Sequence, residues 1–180
     1  MVERLKAEHN VDVEWRPFYL YFDTPPEGKE LPEYVQRARA SGSEERLKQM
    51  AGQYGMPFRS TDRIYNTRLA HEATEFAREQ GVASEFHRAL FRRVYAEGQD
   101  PSQWEVLRGT AEEVGLDAEE MQARVESGAF TETVEEQVRS AYQIGVSGVP
   151  TYVINDRYAI VGAQPYEAFQ NALGQIFKGS

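Results

Sequence analysis

Gly145-Val146-Ser147-Gly148-Val149-Pro150-Thr151-Tyr152-Val153-Ile154-Asn155-Asp156-Arg157-Tyr158-Ala159-Ile160-Val161-Gly162 is the stretch that decides the fold. Two β-rich runs, 151–154 and 157–161, are split by Asn155-Asp156. That pair suits a two-residue hairpin turn because both residues tolerate positive φ. A glycine-spaced loop leads into Pro150 at the mouth of the first run. No bulky polar side chain flanks Val149-Pro150, so the backbone there is open to approach.

Gly162-Ala-Gln-Pro165 carries the chain into a final helix over 166–177, with Phe169, Leu173 and Ile176 on one face. Upstream of 145 the pattern is helical almost throughout, from about 33. A helix is expected over 44–54. Asn66 reads as the N-cap of a helix over 67–80, where Leu69, Ala70, Ala73, Phe76 and Ala77 share a face. Phe86, Leu90 and Val94 stripe the next helix, which Gly98 closes. Asp100-Pro101-Ser102-Gln103 reads as a capping box with proline at the first helical position. It opens a helix bearing Trp104, Leu107, Ala111 and Val114. A second box at Asp117–Glu120 opens a short helix with Met121 and Val125, and a last helix over 131–144 turns Val134, Val138 and Ala141 inward.

The N-terminal segment differs. Residues 2–9 read as the end of a helix, since no capping residue opens it. Val11, Val13 and Trp15 then alternate with Asp12, Glu14 and Arg16. Such alternation predicts a half-buried strand over 11–16, with one charged side that suits a sheet edge, and Pro17 ends it. Pro25, Pro26, Gly28 and Pro32 mark a loop over 18–32. A helix followed by a strand implies a strand before the helix, because β-α-β is the unit that allows parallel pairing.

Composition narrows the chemistry. The 180 residues favour one domain, or one core with an insertion. A net charge of −9 disfavours nucleic acid and anionic membrane surfaces, which need clustered Lys and Arg. No apolar run approaches the roughly 20 residues of a membrane span. No N-terminal segment reads as a signal peptide, so a cytoplasmic location is expected. The absence of cysteine excludes disulfides, thiolate metal sites and thiol nucleophiles within these residues.

The order of elements, with these residues, resembles the DsbA-like thioredoxin family, in particular its FrnE-like members. Val13-Glu-Trp-Arg-Pro-Phe18, Pro25-Pro-Glu-Gly28, Asn66-Thr-Arg-Leu-Ala-His71 and the stretch 145–155 with Gly162-Ala-Gln-Pro165 carry the resemblance, which runs from residue 1 to about 177. It implies an α/β thioredoxin-like fold with a large all-helical insertion. Residues 1–32 and 145–180 would form the thioredoxin-like part, and 33–144 the insertion. It also implies that Pro150 is a cis-proline beside the active site. The bond to Val149 would then present that residue's C=O and N–H to an extended peptide, or to the cysteinyl part of glutathione, by strand addition. A proline that only ends a loop and protects an edge is the plainer alternative.

The departure from the family pattern is as informative. In the family a first strand leads into Cys-x-x-Cys at the start of the first helix, where the helix N-terminus lowers a thiol's pKa. Met1 falls inside that helix, so the first strand and both cysteines are absent from this sequence. An incomplete chain, a strand supplied by another molecule in a homodimer or strand swap, and a rearranged sheet would each account for this. The first is the most economical.

Three functions follow as expectations. The leading one is a DsbA/FrnE-like thiol–disulfide oxidoreductase that is inactive in these residues, its catalytic pair expected upstream of Met1. The second is a glutathione-dependent enzyme similar to 2-hydroxychromene-2-carboxylate isomerases and kappa-class glutathione transferases. The third is a non-catalytic peptide-binding or chaperone-like protein. The resemblance implies a protein or peptide thiol or disulfide as partner, or glutathione. No catalytic residue is expected within the chain, and no metal or bound cofactor. Substrate-binding candidates are Val149, Pro150 and Thr151, with Asn66 and His71 beside them. His9, His71 and His87 are too few and too scattered to suggest a metal site. Ser147 and Thr151 have no evident base and do not suit nucleophilic catalysis. Arg88, Arg92 and Arg93 are read as pairing with nearby glutamates.

Overall fold

The computed structural model describes residues 2–53 and 55–178. Tyr54, the last residue of the helix expected over 44–54, lies outside the described residues. The chain divides into two compact units, one of Met1–Leu20 with Gln137–Ser180 and the other of Tyr21–Glu136.

In the first unit, helix α1 (Val2–Glu8) and helix α9 (Tyr166–Lys178) pack with a hairpin of β3 (Thr151–Ile154) and β4 (Tyr158–Val161). The strands pair antiparallel, with Tyr152 opposite Ile160 and Val153 opposite Ala159. Side chains alternate across a strand. Tyr152, Ile154 and Ile160 therefore turn together onto Leu5, Phe169 and Leu173, the apolar centre of this unit. The Phe169 ring meets Tyr152 edge-on at 4.8 Å. Phe169, Leu173 and Ile176 are all buried, as their spacing predicts.

The turn carries φ of 51° at Asn155 and 53° at Asp156, the left-handed conformation expected of that pair. The amide of Arg157 donates to the carbonyl of Ile154 at 3.2 Å. The ladder nevertheless resumes at Ile154 opposite Tyr158, so the connection holds three residues rather than two. Arg157 is the extra one, a bulge beside the turn.

Residues 11–16 do not form the expected strand. Their burial alternates as the sequence alternates, with Val11, Val13 and Trp15 half-buried and the charged residues between them exposed. Among the described residues they have no ladder partner, and alternation sets which side chains turn inward without supplying one. Tyr142 anchors the following residues: its hydroxyl donates to the Tyr19 carbonyl at 2.5 Å, and its ring lies 4.9 Å from Phe18.

The second unit is mostly helical. It holds α2 (Glu33–Ala40), α3 (Ser43–Gln53), α4 (Arg68–Glu79), α5 (Ala83–Tyr95), α6 (Trp104–Glu113), α7 (Ala118–Glu126) and the first part of α8 (Thr131–Gln143). A two-residue pairing joins β1 (Lys29–Glu30) to β2 (Arg63–Ile64). Gly28 precedes it at φ 75°, and a Cβ there would lie 2.6 Å from the Ile64 carbonyl oxygen, so only glycine fits this approach.

Alternate turns of α4 through α7 bury one continuous core. Ala73, Phe76 and Ala77 of α4 meet Phe86 and Leu90 of α5, Leu107 and Ala111 of α6, and Met121 and Val125 of α7. Phe76 and Phe130 meet edge-to-face at 6.3 Å. Fully burying a side chain such as Phe76 or Phe86 contributes about 2–3 kcal/mol. Trp104 is half-buried at the rim of this core, and Trp15 is half-buried in the other unit.

The two capping boxes behave differently. Asp117 accepts from the amides of Glu119 and Glu120, both at 2.9 Å, and α7 starts as predicted. Asp100 instead accepts from the amide of Ser102 at 2.8 Å and from its hydroxyl at 2.7 Å. That local turn absorbs Pro101, so α6 begins only at Trp104.

Candidate functional site

The stretch before β3 is bounded by two hydrogen bonds. The amide of Gly162 donates to the carbonyl of Pro150 at 2.8 Å, extending the β3–β4 ladder by one step. The hydroxyl of Thr151 donates to the carbonyl of Gly148 at 2.7 Å and closes the loop on the other side. The Val149–Pro150 peptide bond between them is cis.

Antiparallel ladders alternate, so successive residues aim their backbone groups at opposite neighbours. With Pro150 bonded toward β4, Thr151 and Val153 aim their N–H and C=O groups at the other edge. Among the described residues that edge has no strand partner. Nor does any described hydrogen bond engage the N–H or C=O of Val149, a residue that is 54% exposed. Val149, Pro150 and Thr151 thus form one contiguous, accessible backbone segment. Ser147 is exposed beside it, and the Thr151 hydroxyl is already spent on Gly148.

Asn66 and His71 belong to the other unit. The helix there begins at Arg68, and the capping position falls on Thr67, one residue later than expected. Asn66 still covers a helix amide, accepting from Arg68 N–H at 3.0 Å, while its Nδ2 donates to the Thr24 carbonyl at 2.7 Å. The Thr67 hydroxyl lies 3.2 Å from His71 Nε2. Burial pushes the His71 imidazole down to about 4, and repulsion from His87 adds to this. Burial likewise pushes His87 down to about 4, with the Phe91 ring 4.2 Å from it. Both imidazoles are therefore neutral near pH 7.

Arg92 and Arg93 pair as their neighbourhood suggests. Arg92 binds Glu97 and also Glu113 at 2.5 Å, and Arg93 reaches Glu113 at 3.1 Å. A pocket of about 630 Å³ opens beside Arg93, bordered by Asp100, Glu105, Arg108 and Glu112. It contains none of the predicted site residues.

Two buried carboxylates escaped the sequence reading. Glu72 is fully buried and Glu75 is 5% exposed. Glu72 accepts from Arg68 at 3.0 Å and from the Thr131 hydroxyl at 2.9 Å. Glu75 pairs with Arg78 at 3.0 Å. The only signal in the sequence is position: both lie next to the Ala73–Phe76 stripe, with an arginine three or four residues away. Among the described residues no group of His, Asp and Glu is arranged to hold a metal ion. No described helix is long and apolar enough to cross a membrane.

Comparison with known proteins places this geometry in a family. The profile of the DSBA-like thioredoxin domain matches residues 1–174. The protein YwbO of Bacillus subtilis (strain 168) is 27% identical over 174 residues, 95% of this chain and 84% of that one. A 2-hydroxychromene-2-carboxylate isomerase of Sphingobium xenophagum is 38% identical over 85 residues, 47% of this chain and 44% of that one. The crystal structure of the "probable DsbA oxidoreductase SCO1869" from Streptomyces coelicolor superposes with a TM-score of 0.80 at 28% identity, over 92% of this chain and 75% of that one. With an α/β thioredoxin-like fold, a helical insertion and no cysteine, this chain belongs to the DSBA-like thioredoxin domain family.

Proposed function

We propose that Val149, Pro150 and Thr151 bind an extended polypeptide carrying a thiol or disulfide, by strand addition at the open edge of β3. The observation that carries this reading is the Val149 backbone, exposed and without a hydrogen-bond partner among the described residues, at the entrance to that edge. Main-chain pairing would supply affinity, and alternate side chains of the peptide would supply selectivity. Residues 1–32 and 145–180 act here as the thioredoxin-like part, and 33–144 as a helical insertion.

Thiol–disulfide exchange begins with a thiolate attacking a sulfur. These 180 residues contain no cysteine, so they align a substrate and do not exchange its sulfurs. Insulin reduction by this chain is therefore expected at background.

A second reading has its own support in the likeness to a 2-hydroxychromene-2-carboxylate isomerase. Glutathione carries a short peptide backbone at its cysteinyl residue and can use the same Val149 groups. Amide NMR titrations separate the two. A peptide with a blocked cysteine is expected to move the Val149, Thr151 and Val153 amides. If glutathione alone moves them, the second reading holds, and if neither does, the site is abandoned.

A further inference from the structure

We infer that the α2–α3 hairpin opens from the second unit as a separate arm, hinged at the β1–β2 ladder, while the α4–α7 core stays folded. Neither helix has a buried residue, and the two pack chiefly on each other. Tyr34 is 59%, Leu47 49% and Met50 47% exposed. Each therefore contributes only part of what a core position such as Phe76 or Phe86 does. α2 holds 8 residues and α3 holds 11. Isolated helices shorter than about 12–15 residues are marginal in water, and most helices in proteins draw their stability from a packed apolar face. This pair has little of that support.

The chain around the hairpin fixes where the arm ends. β1 and β2 pair Lys29 with Ile64 and Glu30 with Arg63, so the residues between them leave and re-enter the unit at one point. On the return side, Phe58 stacks on Tyr95 at 6.2 Å, with the rings 7° from parallel. The Arg59 amide donates to the Tyr95 carbonyl at 2.6 Å. Both anchors lie outside residues 33–53, so the hairpin can melt or swing without breaking either. Between the helices, the Ser41 and Gly42 amides donate to the Arg37 and Arg39 carbonyls at 3.0 and 2.9 Å. That short connection, with the mutual packing, makes the two helices open together.

Polar contacts tie the arm to its base. The Tyr34 and Tyr21 hydroxyls lie 2.7 Å apart, and Gln36 Nε2 donates to the Leu31 carbonyl at 2.7 Å. Glu44, paired with Lys48 at 2.9 Å, also takes a hydrogen bond from Ser60. Bonds of this kind replace bonds to water, so their net contribution is small. The Tyr21–Tyr34 pair is the latch, because it joins the segment before β1 to the first turn of α2. Segments with few buried apolar contacts are where folded proteins open first. The arm is thus a two-state element, closed by the latch and open when the latch is released.

Native-state hydrogen exchange of the full chain, read by mass spectrometry, tests this. Amides of α2 and α3 should exchange about a hundredfold or more faster than those in the middle of α4 and α6. Tyr34→Phe removes the latch and should speed exchange in the arm by about two- to tenfold, with α4 and α6 unchanged. Ala38→Gly, at an exposed position inside α2, should speed it about fivefold, again sparing α4 and α6. Trypsin should cut first after Arg37, Arg39, Arg46 or Lys48 and leave a core that still protects α4 and α6. Protection of α2 and α3 equal to that of α4 overturns the proposal. So does either variant speeding exchange in α4 as much as in the arm, because the hairpin then unfolds only with the core. Arm exchange that Tyr34→Phe leaves unchanged overturns the latch.

Discussion

The amide of Gly162 donates to the carbonyl of Pro150 at 2.8 Å, and this bond links the far end of β4 to the candidate binding segment. Gly162 sits at φ 83°, and a Cβ there would meet only the Gln164 side chain, at an ordinary contact distance of 3.7 Å. Alanine there would meet no close atom, but it would enter a conformation costing about 1–3 kcal/mol for a residue with a Cβ. Gly162→Ala is expected to lower stability by that amount in urea titration. It should also weaken peptide binding, because relief of the strain shifts the Gly162 amide that holds the Pro150 carbonyl. Unchanged affinity would separate the Gly162 bond from the site.

Thr131 ties the first turn of α8 to Glu72 of α4, and the second oxygen of that buried carboxylate has no hydrogen-bond partner among the described residues. A lost hydrogen bond to a charged group costs about 1.5–3 kcal/mol. Thr131→Val keeps the shape and is expected to cost that much in chemical denaturation. Glu72→Gln keeps the volume and some of the hydrogen bonding, so it should cost less than Glu72→Ala, which also opens a cavity.

The His71 and His87 imidazoles, both held down to about 4, set an acid limit on stability. In the unfolded chain each takes up its proton near pH 6.5. Between roughly pH 6.5 and 4 the unfolded state therefore binds more protons than the folded one, so stability falls as pH falls. The contribution is complete above pH 6.5 and gone below 4. Thermal melts across this window should show a falling Tm. His71→Gln and His87→Gln should flatten the decline, even where they lower stability at pH 7.

Asp117 holds two amides at the start of α7. Asp117→Ala should cost about 1 kcal/mol, measured by urea midpoint at constant slope. Asp100→Ala should leave the start of α6 in place, because Asp100 serves the preceding turn instead. Hydrogen-exchange protection of the Leu107 and Arg108 amides checks that contrast.

Local rules account for much of what was legible. The 3.6-residue spacing of Ala73, Phe76 and Ala77 and of Phe86, Leu90 and Val94 marks the buried faces, because a helix places those positions on one side whatever surrounds it. Asn155-Asp156 announces its turn because both residues accept positive φ. Asp117 announces its cap because a carboxylate reaches amides two and three residues on. Of the candidate site, Val149–Thr151 was legible for the same reason: small neighbours and a following strand leave the backbone accessible.

Elsewhere distant partners decided. Val11, Val13 and Trp15 turn inward as their alternation requires, yet no described strand pairs with them, because a ladder needs hydrogen-bonding groups from another segment. Glu72 is buried because Thr131, 59 residues away, brings a hydroxyl to it, and a carboxylate on a helix carries no mark of that in its own neighbourhood. The sequence by itself determined the helical faces, the hairpin, the family and the lack of a thiol. Only the tertiary structure decided which polar groups are buried and which backbone edge stays open, since both depend on contacts between segments far apart in the chain.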